Sequence, residues 1–347
     1  MIFNAYLAYA SKRSYVFDNY TWYREGPDTF VDSDGTTRHA RMPLSAFISG
    51  PMIGGAMPNK DVPRAVSREH YLSVCPESNR TVIDTSSIQT GDVADIVAQW
   101  VKTLDAIDSP CVELASDSPV LFNFNVTGTL GVLDVFPALA ESPILADLGW
   151  SPLVLQNFAN NSDFFGPSSA LQSGGLVTTH SPLYGLLVLH VRRGDFDSFC
   201  NNIVAKYNLT YNGFNSFPAL PDRYTPPDHP GSHTTAEDAL RHCHPSIPEI
   251  MKRVLAVVDA SPYPNRLTRV YVMTNAKHPW LADLVTALRA ARTWSVGTSK
   301  YVSQAVDMHA AQRAEVFIGN GFSSLTSNVV MLRMANEALD PSNTHFW

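Results

Sequence analysis

The chain has 347 residues, of which 45 % are hydrophobic and 16 % charged, and its formal net charge is −7. A domain spans about 100–200 residues, so the length suggests two domains with full cores, and the composition argues against wholesale disorder. The negative charge argues against a nucleic-acid partner held by bulk positive charge, and no apolar stretch reaches the ~18 residues of a membrane span.

The chain opens with two predicted elements in direct succession. The pattern predicts a helix over Ile2–Ala10 and a strand over Arg13–Phe17. A helix followed at once by a strand is what remains of a βαβ unit whose first strand is missing. We therefore expect either that Met1 is an internal methionine of a longer parent or that a frayed helix begins at a native start.

The rest of the first half is less regular. The segment 22–66 is rich in Gly and Pro turns, which is typical of a binding surface. Apolar patterns then predict a helix over Val93–Leu104, a buried strand over Pro119–Phe124, and helices near Leu130–Ala140 and Pro152–Phe158. The Gly/Ser/Thr-rich stretch Leu171–Ser181 predicts the domain boundary, which gives domains over 1–178 and 179–347.

The second half alternates between strands and helices. Strands are predicted over Leu186–Val191, Arg269–Met273, Thr293–Val296 and Glu315–Ile318, and helices over Ile247–Ala260, Pro279–Arg292, Gln304–Arg313 and Ser323–Leu339. This alternation predicts the α/β class, with a parallel sheet covered on both faces. Ligands bind such sheets beyond the carboxyl ends of the strands, so the residues that follow each strand are the candidates for a site.

The first strand end carries an imidazole and two guanidinium groups. Alternate residues of a strand share a face, so we expect His190 and Arg192 to point together and Arg193 to point away, while Gly194 permits a sharp exit. Asp195 can cap or pair. A His and an Arg that converge favour a phosphate-bearing ligand. Equally compatible is a structural interpretation, in which the Arg bridges to an acidic neighbour and His190 is buried with its hydrogen bonds made.

Two further strand ends carry polar residues. Asn275 and Lys277 follow the Arg269–Met273 strand, where they suit either a base or sugar edge or an ordinary turn. Gly319, Asn320, Gly321, Phe322, Ser323 and Ser324 lead from the Glu315–Ile318 strand into a helix. Glycines permit close approach of a ligand to the backbone, and a Ser-initiated helix terminus favours an anion. The alternative is a well-capped helix behind a buried strand. Together these sites predict a phosphate ligand, such as a nucleotide diphosphate, held by Arg192 and the Ser323 helix terminus.

Other signals are weaker. Asp32 and Asp34 resemble a metal-binding DxD but adjoin Gly35 in a turn, and His242, Cys243 and His244 fit no standard zinc spacing. Cys200 and Cys243 bracket a loop that a disulfide between them would close. Glycosylation sequons stand at Asn19, Asn79, Asn125, Asn160 and Asn208, which tilts only slightly towards a secretory compartment.

Four stretches resemble the GDP-fucose protein O-fucosyltransferase superfamily. His190–Phe196 resembles its HxRRxDF signature, and Ala314–Thr326 resembles its closing motif, in which an acidic residue and FIGN precede a Ser-Ser-initiated helix. Val270–Asn275 falls between them in the expected order, and Ser11–Phe17 resembles the strand that follows the family's first helix.

The resemblance implies two facing Rossmann-like domains, the GT-B arrangement, and metal-independent, inverting transfer of fucose from GDP-fucose to a glycan or protein acceptor that the sequence does not identify. It implies no cofactor. Arg192 would bind the β-phosphate as the catalytic residue, His190 would face the guanine–ribose side, and Ser323 and Ser324 would hold the diphosphate. The remaining implied donor-site residues are Arg193, Asp195, Asn275, Gly319, Asn320 and Leu325.

Two departures from the family pattern keep alternatives open. Asn275 stands where the family commonly has Asp, which puts guanine selectivity in doubt, so a transferase for another nucleotide sugar is one alternative. The family's first strand and Gly-x-x-Asn loop have no counterpart before Ile2, so a non-catalytic nucleotide- or glycan-binding relative is the other. An upstream signal anchor in the parent would place the protein in the Golgi or ER lumen, and otherwise it would be cytoplasmic.

Overall fold

The computed structural model describes residues 1–21, 26–31, 36–86, 92–115, 120–165, 181–207, 209–226, 233–299 and 304–347, with the backbone alone described at 124, 125 and 233–236. The chain divides into two compact units. Unit 1 comprises Met1–Thr127 and Gly131–Leu155, and unit 2 comprises Gly128–Leu130 and Gln156–Trp347. The boundary predicted at 178/179 lies outside the described residues, as do Asp32, Asp34 and Asn208.

Unit 1 combines helices with short strands. Its helices are α1 (Ile2–Ala10), α2 (Arg68–Val74), α3 (Val93–Asp105), α4 (Phe124–Thr127), α5 (Val132–Glu141) and α6 (Pro143–Ala146), and α7 (Pro152–Ala159) runs on into unit 2. Its strands are β1 (Val16–Phe17), β2 (Tyr20–Thr21), β3 (Thr29–Val31), β4 (Thr37–His39), β5 (Arg41–Met42), β6 (Ile48–Ser49), β7 (Val66–Ser67), β8 (Thr81–Ile83), β9 (Val112–Leu114) and β10 (Gly149–Trp150). Single 3₁₀ turns lie at Leu44–Ala46, Pro51–Ile53 and Glu77–Asn79.

The strands of unit 1 pair two at a time within the described ranges. β1 pairs with β7 and β8 with β9 in parallel, whereas β2–β5, β3–β4 and β6–β10 are antiparallel. It therefore stays a prediction that the first domain is Rossmann-like and lacks its opening strand. The GT-B arrangement of the two domains also stays a prediction.

Most helix predictions for the first half are confirmed, because their amphipathic pattern is strong. In α3 the buried residues Val93, Ile96, Val97, Trp100 and Leu104 recur at helical spacing. The first predicted strand is shorter than expected, since only Val16 and Phe17 pair in a sheet. The side chain of Arg13 donates hydrogen bonds to the carbonyl oxygens of Leu104 and Ser109, at 2.9 and 3.0 Å. The start of the predicted Arg13–Phe17 strand is therefore held against the end of α3.

The predicted strand over Pro119–Phe124 is wrong over residues 120–124, and Pro119 lies outside the described residues. Leu121 and Phe122 lie in a turn, and Phe124 begins the short helix α4. The Oδ1 atom of Asn123 accepts a hydrogen bond from the backbone N–H of Val126 at 3.2 Å, which caps this helix. A short apolar run does not by itself distinguish a strand from a helical turn, and the Asn cap decided the outcome.

Unit 2 is built on a five-stranded parallel sheet. Its strands are β11 (Leu183–Val191), β12 (Arg269–Thr274), β13 (Ser295–Thr298), β14 (Ala314–Gly319) and β15 (Thr344–Phe346), in the order β13-β12-β11-β14-β15. Its helices are α8 (Ser162–Phe165), α9 (Asp195–Phe199), α10 (Ala205–Tyr207), α11 (His233–Cys243), α12 (Ile247–Ala260), α13 (Trp280–Ala291), α14 (Gln304–Arg313) and α15 (Ser324–Met334), with a π-helical turn at Cys200–Val204 and 3₁₀ turns at Gly213–Ser216 and Pro341–Asn343.

The central strand β11 is covered on both faces. Leu187, Leu189 and Val191 on one face belong to the core cluster that α12 and α13 complete. The alternate residues face the other way, where His190 meets Thr326 of α15. The parallel α/β architecture predicted for the second half is confirmed. The main differences are that α15 ends at Met334 rather than Leu339 and that β13 spans Ser295–Thr298 rather than Thr293–Val296. Strand β15 and helix α11 were not predicted.

All four cysteines form disulfides. Cys200 pairs with Cys243, as the loop-closing interpretation expects, and Cys75 pairs with Cys111, which no sequence signal indicated. The sulfur of Cys243 is therefore not available as a zinc ligand. Within the described ranges, no group of three or more His, Cys, Asp or Glu residues could hold a metal ion, and no helix has the length and apolar character needed to cross a bilayer.

Candidate functional site

The predicted site residues gather at the carboxyl edge of the unit 2 sheet. Val191 pairs with Thr274, so Arg192 and Asn275 leave β11 and β12 side by side. Gly319 ends β14, the other neighbour of β11, and its loop leads into α15. A parallel sheet brings these strand ends to one edge, which is why residues far apart in sequence meet there.

His190 is buried in the sheet, and one of its ring nitrogens has a hydrogen-bond partner. Its side chain lies with Nδ1 2.6 Å from Oγ1 of Thr326, and its backbone oxygen accepts a hydrogen bond from Nε1 of Trp347 at 3.0 Å. Burial, with a smaller contribution from the charge of Arg192, lowers the pKa of His190 to about 3. The imidazole is therefore neutral at pH 7.

Arg192 forms an ion pair with Asp195, the first residue of α9. Its Nη2 atom donates to Oδ1 and Oδ2 of Asp195 at 2.9 and 2.7 Å, and its guanidinium lies 5.1 Å from the ring centre of Phe196. The Arg192 side chain is 23 % exposed and that of Asp195 69 %. This geometry, together with the buried His190, is that of the structural interpretation, and binding of a phosphate by these residues stays a prediction.

Arg193 points away from Arg192, as the strand alternation predicts. It is buried, its guanidinium lies 4.1 Å from the ring centre of Trp280, and its Nη2 donates to the carbonyl oxygen of Pro245. Burial lowers its pKa to about 10. Arg193 also lines a cavity of about 390 Å³ with residues of α11, of the loop after it and of the start of α12, including His244 and Glu249.

Asn275 binds the turn that follows β11. Its Oδ1 accepts from the backbone N–H of Arg193 at 2.8 Å, and its Nδ2 donates to the backbone oxygen of Arg193 at 2.9 Å and to Oδ1 of Asp195 at 3.0 Å. Gly194 adopts a φ of 61° in this turn, where a residue with a Cβ would be strained. Lys277 is exposed two residues further on.

The loop after β14 is held by its own buried asparagine. Nδ2 of Asn320 donates to the carbonyl oxygen of Cys243 at 2.6 Å, and Oδ1 of Asn320 accepts from the N–H of Phe322 at 3.0 Å. The two glycines predict a close approach of a ligand to the backbone, but protein side chains occupy that space. A Cβ at Gly319 would lie 2.4 Å from Cγ2 of Thr326, and one at Gly321 would lie 2.3 Å from the ring of Tyr211.

Ser323 is the N-cap residue of α15, and Ser324 is the first residue of the helix. Ser323 is buried and its hydroxyl makes no capping hydrogen bond, whereas Ser324 is exposed and Leu325 half-buried. The helix terminus predicted to hold a phosphate therefore lies at the same edge as Arg192, with a hydroxyl that its own helix does not use as a cap. Occupancy by an anion stays a prediction.

Several residues that hydrogen-bond to the site residues were not predicted from the sequence. Thr326 stood inside the quoted closing motif, but its contact with His190 spans 136 positions of sequence. Asn215 donates from Nδ2 to the backbone oxygens of Gly321 and Ser323 at 2.7 and 3.3 Å, and nothing in its local sequence indicated this. Glu315, the acidic residue of the closing motif, lies at the amino end of β14, where it accepts hydrogen bonds from the N–H of Gly185 and from Nε of Arg266 at 2.6 and 2.9 Å.

Comparison with known proteins identifies the fold. No family model and no curated protein match the sequence. Among solved structures, the chain is similar in fold to POFUT1, a GDP-fucose O-fucosyltransferase. One similar structure is a POFUT1–GDP complex, with a TM-score of 0.54 and 16 % identity, covering 99 % of this chain and 92 % of that chain. A second crystal form of that complex has a TM-score of 0.56 and 14 % identity, covering 100 % of this chain and 93 % of that chain. A POFUT1–GDP-fucose complex has a TM-score of 0.53 and 16 % identity, covering 99 % of this chain and 92 % of that chain.

Proposed function

We propose that this chain is a glycosyltransferase that binds GDP-fucose through unit 2 and transfers fucose, with inversion, to a hydroxyl group of a glycan or protein acceptor. One observation carries the proposal, namely the similarity in fold, over nearly the whole chain, to POFUT1 structures that contain GDP or GDP-fucose. The position of Arg192 at the carboxyl edge of the parallel sheet supports it, because nucleotides bind α/β sheets there.

Arg192 supplies the positive charge that a departing diphosphate needs. Within the described part of the chain, both of its hydrogen bonds to protein come from Nη2, which leaves the donors on Nε and Nη1 for a ligand. A guanidinium that is partly buried and held by an ion pair costs little reorganisation when it binds an anion. We assign Arg192 to the β-phosphate.

The N-terminus of α15 supplies the second anion-binding element. Its first backbone N–H groups have no partner within the helix, and the helix dipole favours negative charge at this end. The exposed Ser324 adds a hydroxyl donor. We assign Ser323 and Ser324 to the diphosphate, with Leu325 and the Gly319–Asn320 backbone beside it.

These two elements allow the reaction to proceed without a metal ion. The oxygen of the acceptor hydroxyl attacks C1 of fucose while the bond from C1 to the phosphate oxygen breaks. The electron pair of that bond leaves with GDP, and the hydroxyl proton passes to the departing phosphate or to water. Fixed positive charge from Arg192 and the helix terminus stabilises the leaving group. In this proposal residues 1–178 form the acceptor-side domain and residues 179–347 the donor domain of a GT-B arrangement.

Nucleotide binding followed by turnover tests the proposal. Thermal shift with GDP, UDP and ADP should show stabilisation by GDP alone, because a ligand raises stability only if it binds the native state. GDP release from GDP-fucose in the presence of EDTA, with candidate glycan and protein acceptors, should then show metal-independent turnover. Stabilisation by UDP or ADP instead would favour another nucleotide sugar, and binding of GDP without turnover would favour a non-catalytic relative. An unchanged melting temperature with all three nucleotides would contradict the proposal.

A further inference from the structure

The side-chain amide of Asn275 spans the turn between β11 and α9. It makes two hydrogen bonds to the backbone of Arg193 and a third to Asp195, at 2.8, 2.9 and 3.0 Å. The backbone N–H of Arg193 requires the oxygen of the amide and the backbone carbonyl requires its NH₂ group, so the orientation of the amide is determined by its neighbours. The arrangement resembles one more rung of the β11–β12 ladder, made by a side chain.

Asp195 carries this restraint on to Arg192. The Oδ1 atom of Asp195 accepts from Asn275 and from Nη2 of Arg192, and its Oδ2 accepts from the same Nη2. The carboxylate is 69 % exposed, so without Asn275 it would be free to change rotamer together with the guanidinium. The turn itself depends on Gly194, in the left-handed region with a φ of 61°, and a Cβ there would lie 3.4 Å from Nδ2 of Asn275.

We infer that Asn275 is a positioning residue, which acts through Asp195 to hold the guanidinium of Arg192 towards the phosphate of the donor, rather than a residue that selects the base. The inference rests on the proposed function. Three of the four hydrogen bonds that an amide can readily make are already used within the protein, including both N–H donors. One lone pair of Oδ1 remains, which is a poor basis for discriminating between bases.

The same geometry explains why an amide is needed at this position. Asn275→Asp would keep the bond from the N–H of Arg193 but would remove both donated bonds, and it would place a second carboxylate about 3 Å from that of Asp195. The repulsion would compete with the ion pair between Asp195 and Arg192. We therefore expect Asn275→Asp to impair the site more than Asn275→Ala does.

Chemical labelling tests the restraint without any nucleotide. Phenylglyoxal modification of Arg192, followed by mass spectrometry, should be several-fold faster in Asn275→Ala and faster still in Asn275→Asp than in the wild type. Asn201 is a matched control, because its Nδ2 also donates to the backbone oxygen and the carboxylate of one residue, Asp197, at 2.9 and 3.2 Å. Asn201→Ala should leave the rate at Arg192 unchanged. An unchanged rate in both Asn275 variants would overturn the inference.

Calorimetric titration with GDP and with inosine diphosphate, which lacks the 2-amino group of guanine, separates positioning from base reading. Asn275→Ala should lower the affinity for both ligands by the same factor. In an Arg192→Ala background it should cause no further loss of affinity. A loss confined to GDP, or a full additional loss in the Arg192→Ala background, would overturn the inference. If the wild type binds neither ligand, the proposed function fails, and the labelling rates by themselves decide whether Asn275 holds Arg192.

Discussion

The Oγ1 atom of Thr326 lies 2.6 Å from Nδ1 of His190 and joins helix α15 to the central strand β11. The same oxygen accepts a hydrogen bond from the backbone N–H of Asn320 at 3.2 Å. One hydroxyl group therefore ties together the strand that carries Arg192, the loop after β14 and the helix whose N-terminus faces the carboxyl edge of the sheet.

Replacing this hydroxyl should destabilise the fold at the site. Thr326→Val keeps the shape of the side chain but leaves the buried His190 Nδ1 and the N–H of Asn320 without their partner, at a cost of about 1–3 kcal/mol in the free energy of unfolding. Urea denaturation measures this cost. Thr286 is the matched control, because its hydroxyl donates to the carbonyl of Ala282 on an exposed helix surface, and Thr286→Val should change stability by less than about 0.5 kcal/mol. Equal costs at the two positions would contradict the role given to Thr326.

Loss of the Arg192 side chain should abolish transfer while the protein stays folded. The guanidinium is partly exposed and paired with an exposed carboxylate, so its removal should cost no more than about 1 kcal/mol of stability. Removing a group that stabilises transition-state charge typically lowers kcat by about 10²–10³-fold. GDP release from GDP-fucose and thermal denaturation, measured side by side, separate the two effects.

The control for Arg192 is Arg292. Its side chain is 29 % exposed and pairs with Asp259, which is 62 % exposed, and it also lies near an aromatic ring, that of Trp294. Arg292 precedes β13, at the amino edge of the sheet. Arg292→Ala should leave transfer unchanged, and an equal loss of transfer in the two variants would show that the loss at Arg192 is not specific to the site.

His190 should make the protein less stable in mild acid. Its pKa is lowered to about 3 in the folded state, from an ordinary value of 6.5, so below pH 6.5 the unfolded chain binds a proton that the folded one does not. The stability associated with His190 is fully present above pH 6.5 and is lost as the pH falls towards 3, at up to ~1.4 kcal/mol per pH unit. His190→Gln cannot take up this proton, so the difference in stability between wild type and variant should shrink as the pH falls from 7 to 4.

Asp307 provides the opposite sign in the same assay. Burial raises its pKa to about 7 from 3.8, so the folded protein retains a proton that the unfolded chain has lost. The stability that protonated Asp307 contributes is present below pH 3.8 and is lost as the pH rises through 7. The difference between wild type and Asp307→Asn should therefore shrink as the pH rises. Parallel pH profiles for the His190 and Asp307 variants would contradict both assignments.

The two disulfides should contribute to stability through loop closure. They span 43 and 36 positions, for which chain entropy predicts about 4 kcal/mol each. Cys200→Ala/Cys243→Ala should in addition loosen the loop after β14, because Asn320 binds the carbonyl oxygen of Cys243. We expect this pair of substitutions to weaken GDP binding and Cys75→Ala/Cys111→Ala, in unit 1, to leave it unchanged, with calorimetry as the measurement. Equal effects on GDP binding would contradict a link between the Cys200–Cys243 disulfide and the site.

Elements whose signals are local were predictable. Helix α12 begins at Ile247 because Ser246 and Glu249 form a capping box and Pro248 suits the first turn, all of which are visible in the sequence. The continuous apolar run of β11 likewise marks a strand buried on both faces. The end of α15 was not predictable, because the apolar pattern continues to Leu339 while the Oδ1 atom of Asn336 accepts the N–H of Ala338 in a turn beyond the helix.

Local patterns predicted the α/β class of the second half and the three strand ends at which polar residues collect, because strand and helix patterns and turn residues are properties of neighbours in the chain. Which groups face a ligand depends on how the sheet and its helices pack. The imidazole of His190 is committed to Thr326, the amide of Asn275 to the turn at Arg193, and the space beside Gly321 to Tyr211. Arg193 and Asn275 are 82 positions apart in the sequence, and His190 and Thr326 are 136 positions apart. Only the packing of the sheet and its helices brings these hydrogen-bond partners together.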